Sequence, residues 1–317
     1  MKKNTLFAAV AALALAIAPL TASSVAQAAN SAAGTGEIAP KVTPVRGAGQ
    51  GIGYATGTYR GTGDTTYHNG PVMTAATTNA YVIWYGNWAE TNATNLLKKN
   101  IIRAALGNIG GTSYWNTNTT YTDGSGNAIK NSVTLAGEYT PGGSYSKTLS
   151  DSNIATIVKN AITQNKFIKD PNGIYFVLTS GDIAESSGFL TRYCGWHTYQ
   201  TITGTAIKYS FVGDATKKLS SCTAQSVSPN GDAAADGMVS VIVHELEEAA
   251  SDPQLNAWYD ASGYENADKC AWYFGTTTTL PSGAMYNVTW GAYNFLVQLN
   301  WVNTGATSHC DIGYVTP

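Results

Sequence analysis

The sequence predicts a single main domain of α+β (or α/β) class, a mixed sheet flanked by helices. Two observations predict it. Short β-branched and aromatic runs read as buried strands, and amphipathic stretches at helical spacing lie between them. Their order is strand, helix, strand, helix, strand, strand, helix. The first strand is Ala80-Tyr81-Val82-Ile83-Trp84-Tyr85, closed by Gly86. Residues 91–106 follow as a helix, with Leu97, Ile101 and Ala104 or Ala105 on one face and Gly107 and Gly110 as its stop. Residues 133–139 form another strand. The second helix is capped by Ser150 or Asp151 and carries the stripe Ile154, Ile157, Val158, Ala161 and Ile162. Residues 174–178 and 207–212 are buried strands. The third helix runs over 237–250, with Asp236 as N-cap and Asp252-Pro253 as its end. After a loop-rich stretch, residues 293–299 make a last strand.

The amino terminus reads differently. Met1-Lys2-Lys3, an apolar run from Leu6 to Leu20 and Ala26-Gln27-Ala28 make a secretory signal peptide over 1–28, cut near Ala28. Residues 29–65 read as a flexible Gly-rich leader, with Pro40 and Pro44 among scattered glycines. The main domain is then 66–317. No later run approaches the ~20 apolar residues of a membrane span. The mature protein is therefore expected in the periplasm or outside the cell, with no membrane partner.

Composition excludes further classes. Charged residues are 12% of the 317-residue chain, about half the usual ~25%. The net charge of −2 is a poor footprint for nucleic acid. Eight Trp, 19 Tyr and 7 Phe argue against disorder throughout. The four cysteines fit an exported chain with two disulfides, for which three pairings exist. Cys194–Cys222 with Cys270–Cys310 keeps both loops local and is the expected pairing.

The chemistry-bearing segment is His244-Glu245-Leu246-Glu247-Glu248. Residues four apart share a helix face, so His244 and Glu248 can converge on one ion. The segment resembles the H-E-x-x-H helix of zinc-peptidase catalytic domains, with Glu in place of the second His. That resemblance implies that Glu245 is the catalytic base, taking a proton from water activated by the metal. Glu265 is the expected third ligand, and Asp268 is an alternative ligand or an orienting partner for His244. Glu247 reads as a solvated carboxylate. Of the remaining histidines, His197 in Cys194-Gly195-Trp196-His197 is the reserve ligand, on a loop anchored by Cys194, while His68 and His309 read as structural.

Two carboxylates and one imidazole carry more negative charge than two imidazoles and one carboxylate. Such a set weakens the ion as a Lewis acid. Zn²⁺ stays the first expectation, with Mn²⁺ or Ca²⁺ competitive and a structural role open. Charge distribution points to the same place. Glu245, Glu247, Glu248, Asp252, Asp260, Glu265 and Asp268 cluster between His244 and Asp268, with no Lys or Arg among them. In a charge-poor chain such a cluster needs solvent, raised pKa values or a cation.

Longer segments resemble the EXORDIUM (phosphate-induced protein) family of plant cell walls, which has bacterial relatives. They include Tyr67-His68-x-Gly70-Pro71, Ile83-Trp84-Tyr85-Gly86, Cys194-Gly195-x-His197 and Ser228-Pro229-Asn230-Gly231-Asp232. Asp236-Gly237-Met238-Val239, Asn256-Ala257-Trp258-Tyr259, Glu265-x-Ala267-Asp268-x-Cys270 and Phe295-Leu296-Val297-Gln298 belong with them. The resemblance covers roughly residues 65–310 and implies a secreted, wall-associated protein. It brings no catalytic activity with it. Two readings follow: a secreted metal-dependent, peptidase-like hydrolase, or a non-catalytic extracellular protein that binds wall polymer or signals. Peptide and cell-wall polymer are the expected partners.

Overall fold

The structure, a computed structural model, describes residues 41–46, 59–143 and 145–316, with the side chain of Lys41 left out. They lie in one compact unit, Ile38–Pro317. The signal peptide expected over 1–28 lies outside the described residues, as do 29–40 and 47–58 of the expected leader.

A six-stranded mixed sheet organises the chain. Its strands are β1 (Lys41–Pro44), β2 (Thr78–Tyr85), β3 (Val133–Tyr139), β4 (Gly173–Thr179), β5 (Tyr193–Ile202) and β6 (Thr205–Gly213). The order across the sheet is β1-β5-β6-β4-β2-β3. β3, β2, β4 and β6 run parallel, whereas β5 is antiparallel to both β6 and β1. The longer helices are α1 (Ala93–Asn108), α2 (Asp151–Thr163) and α3 (Ala233–Ser251). α+β architecture with a mixed sheet is thus as the sequence predicts.

The parallel strands were legible because both faces are covered. All of β4 is buried, and so is all of β2 except Asn79, which yields near-continuous apolar runs. α1 starts where Asn92 Oδ1 accepts from the Thr94 and Asn95 amides at 2.9 and 3.1 Å. It runs through Gly107 and ends at Asn108, so only Gly110 lies past its end. α2 begins with a capping box between Ser150 and Asn153.

Four expectations need correction. The stretch read as a flexible leader contributes β1. That strand spans only Lys41–Pro44 and includes a proline, so no period is visible; its position at the sheet edge tolerates the missing N–H. β5 was read as a loop. Its sequence Tyr-Cys-Gly-Trp-His-Thr-Tyr-Gln-Thr-Ile mixes polar and apolar residues, yet Tyr193 to Thr198 are buried. Asp236 is not the N-cap of α3: Asp232 is, its carboxylate accepting from the Ala235 amide at 2.9 Å, while Asp236 sits inside the first turn. The last strand is short. Tyr293–Phe295 pairs with Val288–Trp290, but 296–299 leave the ladder because side chains take their backbone groups. Asn287 bonds both the amide and the carbonyl of Val297, and Ser240 Oγ accepts from the Gln298 amide at 3.2 Å.

α3 is the central element. Every residue from Ala234 to Ser251 is buried, not one apolar stripe alone. Successive strand residues face opposite sides of a sheet. On β5, His197 reaches Glu245 of α3, while Gln200 Nε2 bonds the Ala155 carbonyl of α2 at 2.8 Å. α3 and α2 therefore cover opposite faces. Gly195 fixes the close approach of α3. A Cβ there would meet Val241 Cγ1 at 2.6 Å and the Phe211 carbonyl at 2.9 Å, distances no side chain tolerates. The disulfides are Cys194–Cys222 and Cys270–Cys310, the pairing expected from locality.

Candidate metal centre

α3 sets the first two groups. His244 and Glu248 stack one turn apart, with Nε2 of His244 2.9 Å from Oε1 of Glu248. Glu245, one residue round the helix, turns toward β5 and β1. Its Oε2 lies 3.1 Å from His197 Nδ1. Its Oε1 accepts from the Thr43 amide at 3.3 Å and from the Thr43 hydroxyl. His197 Nδ1 also lies 3.4 Å from Glu248 Oε2.

The loop after α3 supplies the other side. Asp252 ends the helix, its amide bonding the Glu248 carbonyl at 2.7 Å. Its Oδ1 accepts from the Asn256 and Ala257 amides, both at 2.6 Å, which turns the chain back. Glu265 then precedes the one-turn helix Asn266–Lys269, which Cys270 ties to Cys310. Glu265 Oε1 stands 3.6 Å from His197 Nε2. Asp268 Oδ1 stands 3.6 Å from His244 Nε2, and the Asp268 amide donates to Glu248 Oε1 at 3.0 Å.

The structure thus gathers the residues singled out in the sequence (His244, Glu245, Glu248, Glu265 and Asp268) around Glu248. It adds two that sequence reasoning placed elsewhere. His197 is at the middle of the cluster on a strand, not on a loop at its margin. Thr43 comes from the stretch read as leader. Glu247 is not solvated: it is fully buried, and Tyr114 Oη donates to its Oε2 at 3.3 Å. His68 stacks on Tyr259 with ring centroids 3.7 Å apart, and His309 pairs with Asp311; both are exposed and apart from the cluster.

Burial decides the electrostatics. His197, Glu245, Glu248, Asp252 and Glu265 are 0% exposed, His244 is 1% and Asp268 is 8%. Solvent therefore does not neutralise the acidic cluster. Burial alone disfavours a charged imidazole, but Glu265, Glu245 and Glu248 around His197 outweigh it and hold the ring well above the ordinary imidazole value. Burial likewise opposes the charge on His244, and Glu248 and Asp268 overcome it. Burial pushes Glu247 well above the usual carboxylate range and raises Glu245 and Asp252 as well. For Glu248 burial acts in the same sense, but the two imidazoles win and lower it.

The donor set suits a divalent cation. Two groups of donors lie together, His197 with Glu248 and Glu265, and His244 with Glu245 and Glu248; within each, one atom per residue lies within 4.8 Å of the others. Nε2 of His197 and Nδ1 of His244 have no hydrogen-bond partner among the described residues. A buried polar atom left without a partner costs about 1–3 kcal/mol, and imidazole with carboxylate is ordinary ligation for Zn²⁺ or Mn²⁺.

The conserved region of phosphate-induced protein 1 matches residues 65–310, which takes in both histidines and all the carboxylates of the centre but not Thr43. Protein EXORDIUM-like 5 of Arabidopsis thaliana is 32% identical over 276 residues, covering 74% of this chain and 74% of the relative. Protein EXORDIUM-like 3 of the same plant is 31% identical over 284 residues, covering 77% of this chain and 81% of the relative. No solved structure matches the chain. On the extent of these matches, the chain belongs to the EXORDIUM-like, phosphate-induced protein 1 family.

Proposed function

We propose that this protein is exported and holds a divalent cation, Zn²⁺ first and Mn²⁺ second, for hydrolysis of a peptide-type substrate. One observation carries the reading: two fully buried imidazoles stand among fully buried carboxylates, and Nε2 of His197, facing Glu265, has no hydrogen-bond partner among the described residues. His244, Glu248 and Glu265 hold the cation, with His197 joining them and Asp268 orienting His244. The imidazoles argue against Ca²⁺, which takes oxygen ligands. When bound, the cation supplies Lewis acidity toward a carbonyl oxygen and toward water. Glu245 is the base. Burial raises its carboxyl, and Thr43 and His197 fix both of its oxygens, so it is oriented to accept a proton. Export is supported by Met1-Lys2-Lys3 with the apolar run behind it, and by two disulfides, which persist in oxidising compartments.

A second reading has its own observation. β1 lies against Glu245, and every donor on α3 is at most 1% exposed, so the donors are closed off from solvent. On that reading the cation is structural, and the protein binds wall polymer or signals without catalysis. The two separate in one experiment. Glu245→Gln should retain the cation and abolish hydrolysis of an unfolded-protein substrate. Hydrolysis equal to wild type removes Glu245 as base; no hydrolysis by the metal-loaded wild type favours the structural role. A purified protein that takes up no divalent ion sinks the metal in either role.

A further inference from the structure

We propose that the centre is built for two divalent cations, one at His197 with Glu265 and one at His244, bridged by the carboxylate of Glu248. The inference deepens the metal reading above and rests on it. It starts from the way Glu248 is placed. Its two oxygens face different histidines: Oε1 stands 2.9 Å from His244 Nε2 and Oε2 stands 3.4 Å from His197 Nδ1. A carboxylate that serves one ion turns both oxygens, or one of them, toward a single point. Glu248 is the residue common to both groups of donors.

Distances agree with two positions. At ligand distances of about 2.1 Å, two donors of one ion sit at most ~4.2 Å apart. Three donors about one ion sit ~3.4–3.6 Å apart, so a group held within 4.8 Å closes on an ion with shifts of up to about 0.8 Å per side chain. The two histidines arrive on different elements, His197 on β5 and His244 on α3, and are pinned from different sides. Glu248 Oε2 stands 3.4 Å from His197 Nδ1 and Glu265 Oε1 stands 3.6 Å from His197 Nε2, both too long for good hydrogen bonds; an ion takes one ring nitrogen, and Nε2 is the one without a hydrogen-bond partner.

Charge agrees as well. Four carboxylates touch the two imidazoles: Glu245, Glu248, Glu265 and Asp268. With neutral imidazoles, two divalent ions bring no surplus positive charge to the four carboxylates.

The test uses the full mature chain loaded with Mn²⁺ alone. Elemental analysis should find two ions per chain at saturation. Electron paramagnetic resonance should give the broadened, coupled signal of a manganese pair in place of the sharp six-line pattern of isolated Mn²⁺. His197→Ala, checked for native folding by circular dichroism, should bind one ion and restore the six-line pattern. Glu248→Gln should lose the coupling. One ion per chain in the wild type overturns the two-ion centre and leaves the single-metal reading standing. Two ions with an uncoupled spectrum overturn the bridge. No ion under any loading overturns this inference and the metal reading together.

Discussion

Thr43→Val is the substitution that most sharply separates this structure from a reading in which residues before Tyr67 are only a tether. Thr43 is 0% exposed and donates to Glu245 Oε1 from both its amide, at 3.3 Å, and its hydroxyl. Valine keeps the shape, and the amide bond survives, so the change removes one hydroxyl–carboxylate bond. β1 stays in place, because Trp272 Nε1 still donates to the Pro44 carbonyl at 2.9 Å and the Arg46 amide to the Ser221 carbonyl at 2.8 Å. Leaving a buried polar group short of a hydrogen-bond partner costs about 1–3 kcal/mol, and that is the expected loss. Urea unfolding should show it as a lower midpoint with an unchanged slope. The control is Val42→Thr one residue away, where the side chain is 37% exposed and the change should stay within about 0.5 kcal/mol. If Thr43→Val is as neutral as that control, Thr43 does not touch Glu245, and the strand is not part of the site.

Asp236 makes stability fall as pH rises. Burial raises its carboxyl from 3.8 to about 6, against Ser228 and Asn230, which donate to it, and Asp232 adds to the rise. Its contribution is complete below the unfolded value and is lost as pH rises through about 6. Two units at about 1.36 kcal/mol each put the loss near 3 kcal/mol, and Asp236→Asn should flatten that part of the stability–pH curve. Replacing either cystine with serines lengthens the free loops. The separations of 28 and 40 residues predict losses of about 3.5 and about 4 kcal/mol for Cys194–Cys222 and Cys270–Cys310. Calorimetry on each double variant reads them, and unchanged melting would contradict the placement. Chelation should lower the melting temperature. A cation at 100 times its dissociation constant contributes about 2.7 kcal/mol, roughly 5–10 °C for a domain of this size, and Zn²⁺ or Mn²⁺ should restore it.

What the sequence disclosed follows from how each residue is buried. β2 and β4 are covered on both faces and announce themselves as apolar runs, and α2 sits on the surface with one apolar stripe. His244 and Glu248 were legible because helical spacing is local: four residues on, the partner is fixed. Glu265 and Asp268 were legible because the zinc-peptidase resemblance calls for a third ligand downstream of the helix, and an acidic cluster without Lys or Arg in so charge-poor a chain points to the same segment. His197 and Thr43 were not, since their place depends on pairing between strands far apart in sequence. His197 pairs with Ser210 on one side and Lys41 on the other, and neither register leaves a mark in a strand that mixes polar and apolar residues. Glu247 was misread for a related reason. Its neighbour Tyr114 comes from a segment that no helical spacing connects to α3.

The central claim, a cation held around Glu248, is tested most directly by anomalous diffraction from crystals of the Zn²⁺-loaded protein, recorded on either side of the zinc absorption edge. The account predicts an edge-dependent peak within about 2–2.3 Å of a Glu248 oxygen and of a nitrogen of His244 or His197. Well-ordered His197, His244 and Glu248 side chains with no such peak between them would contradict it.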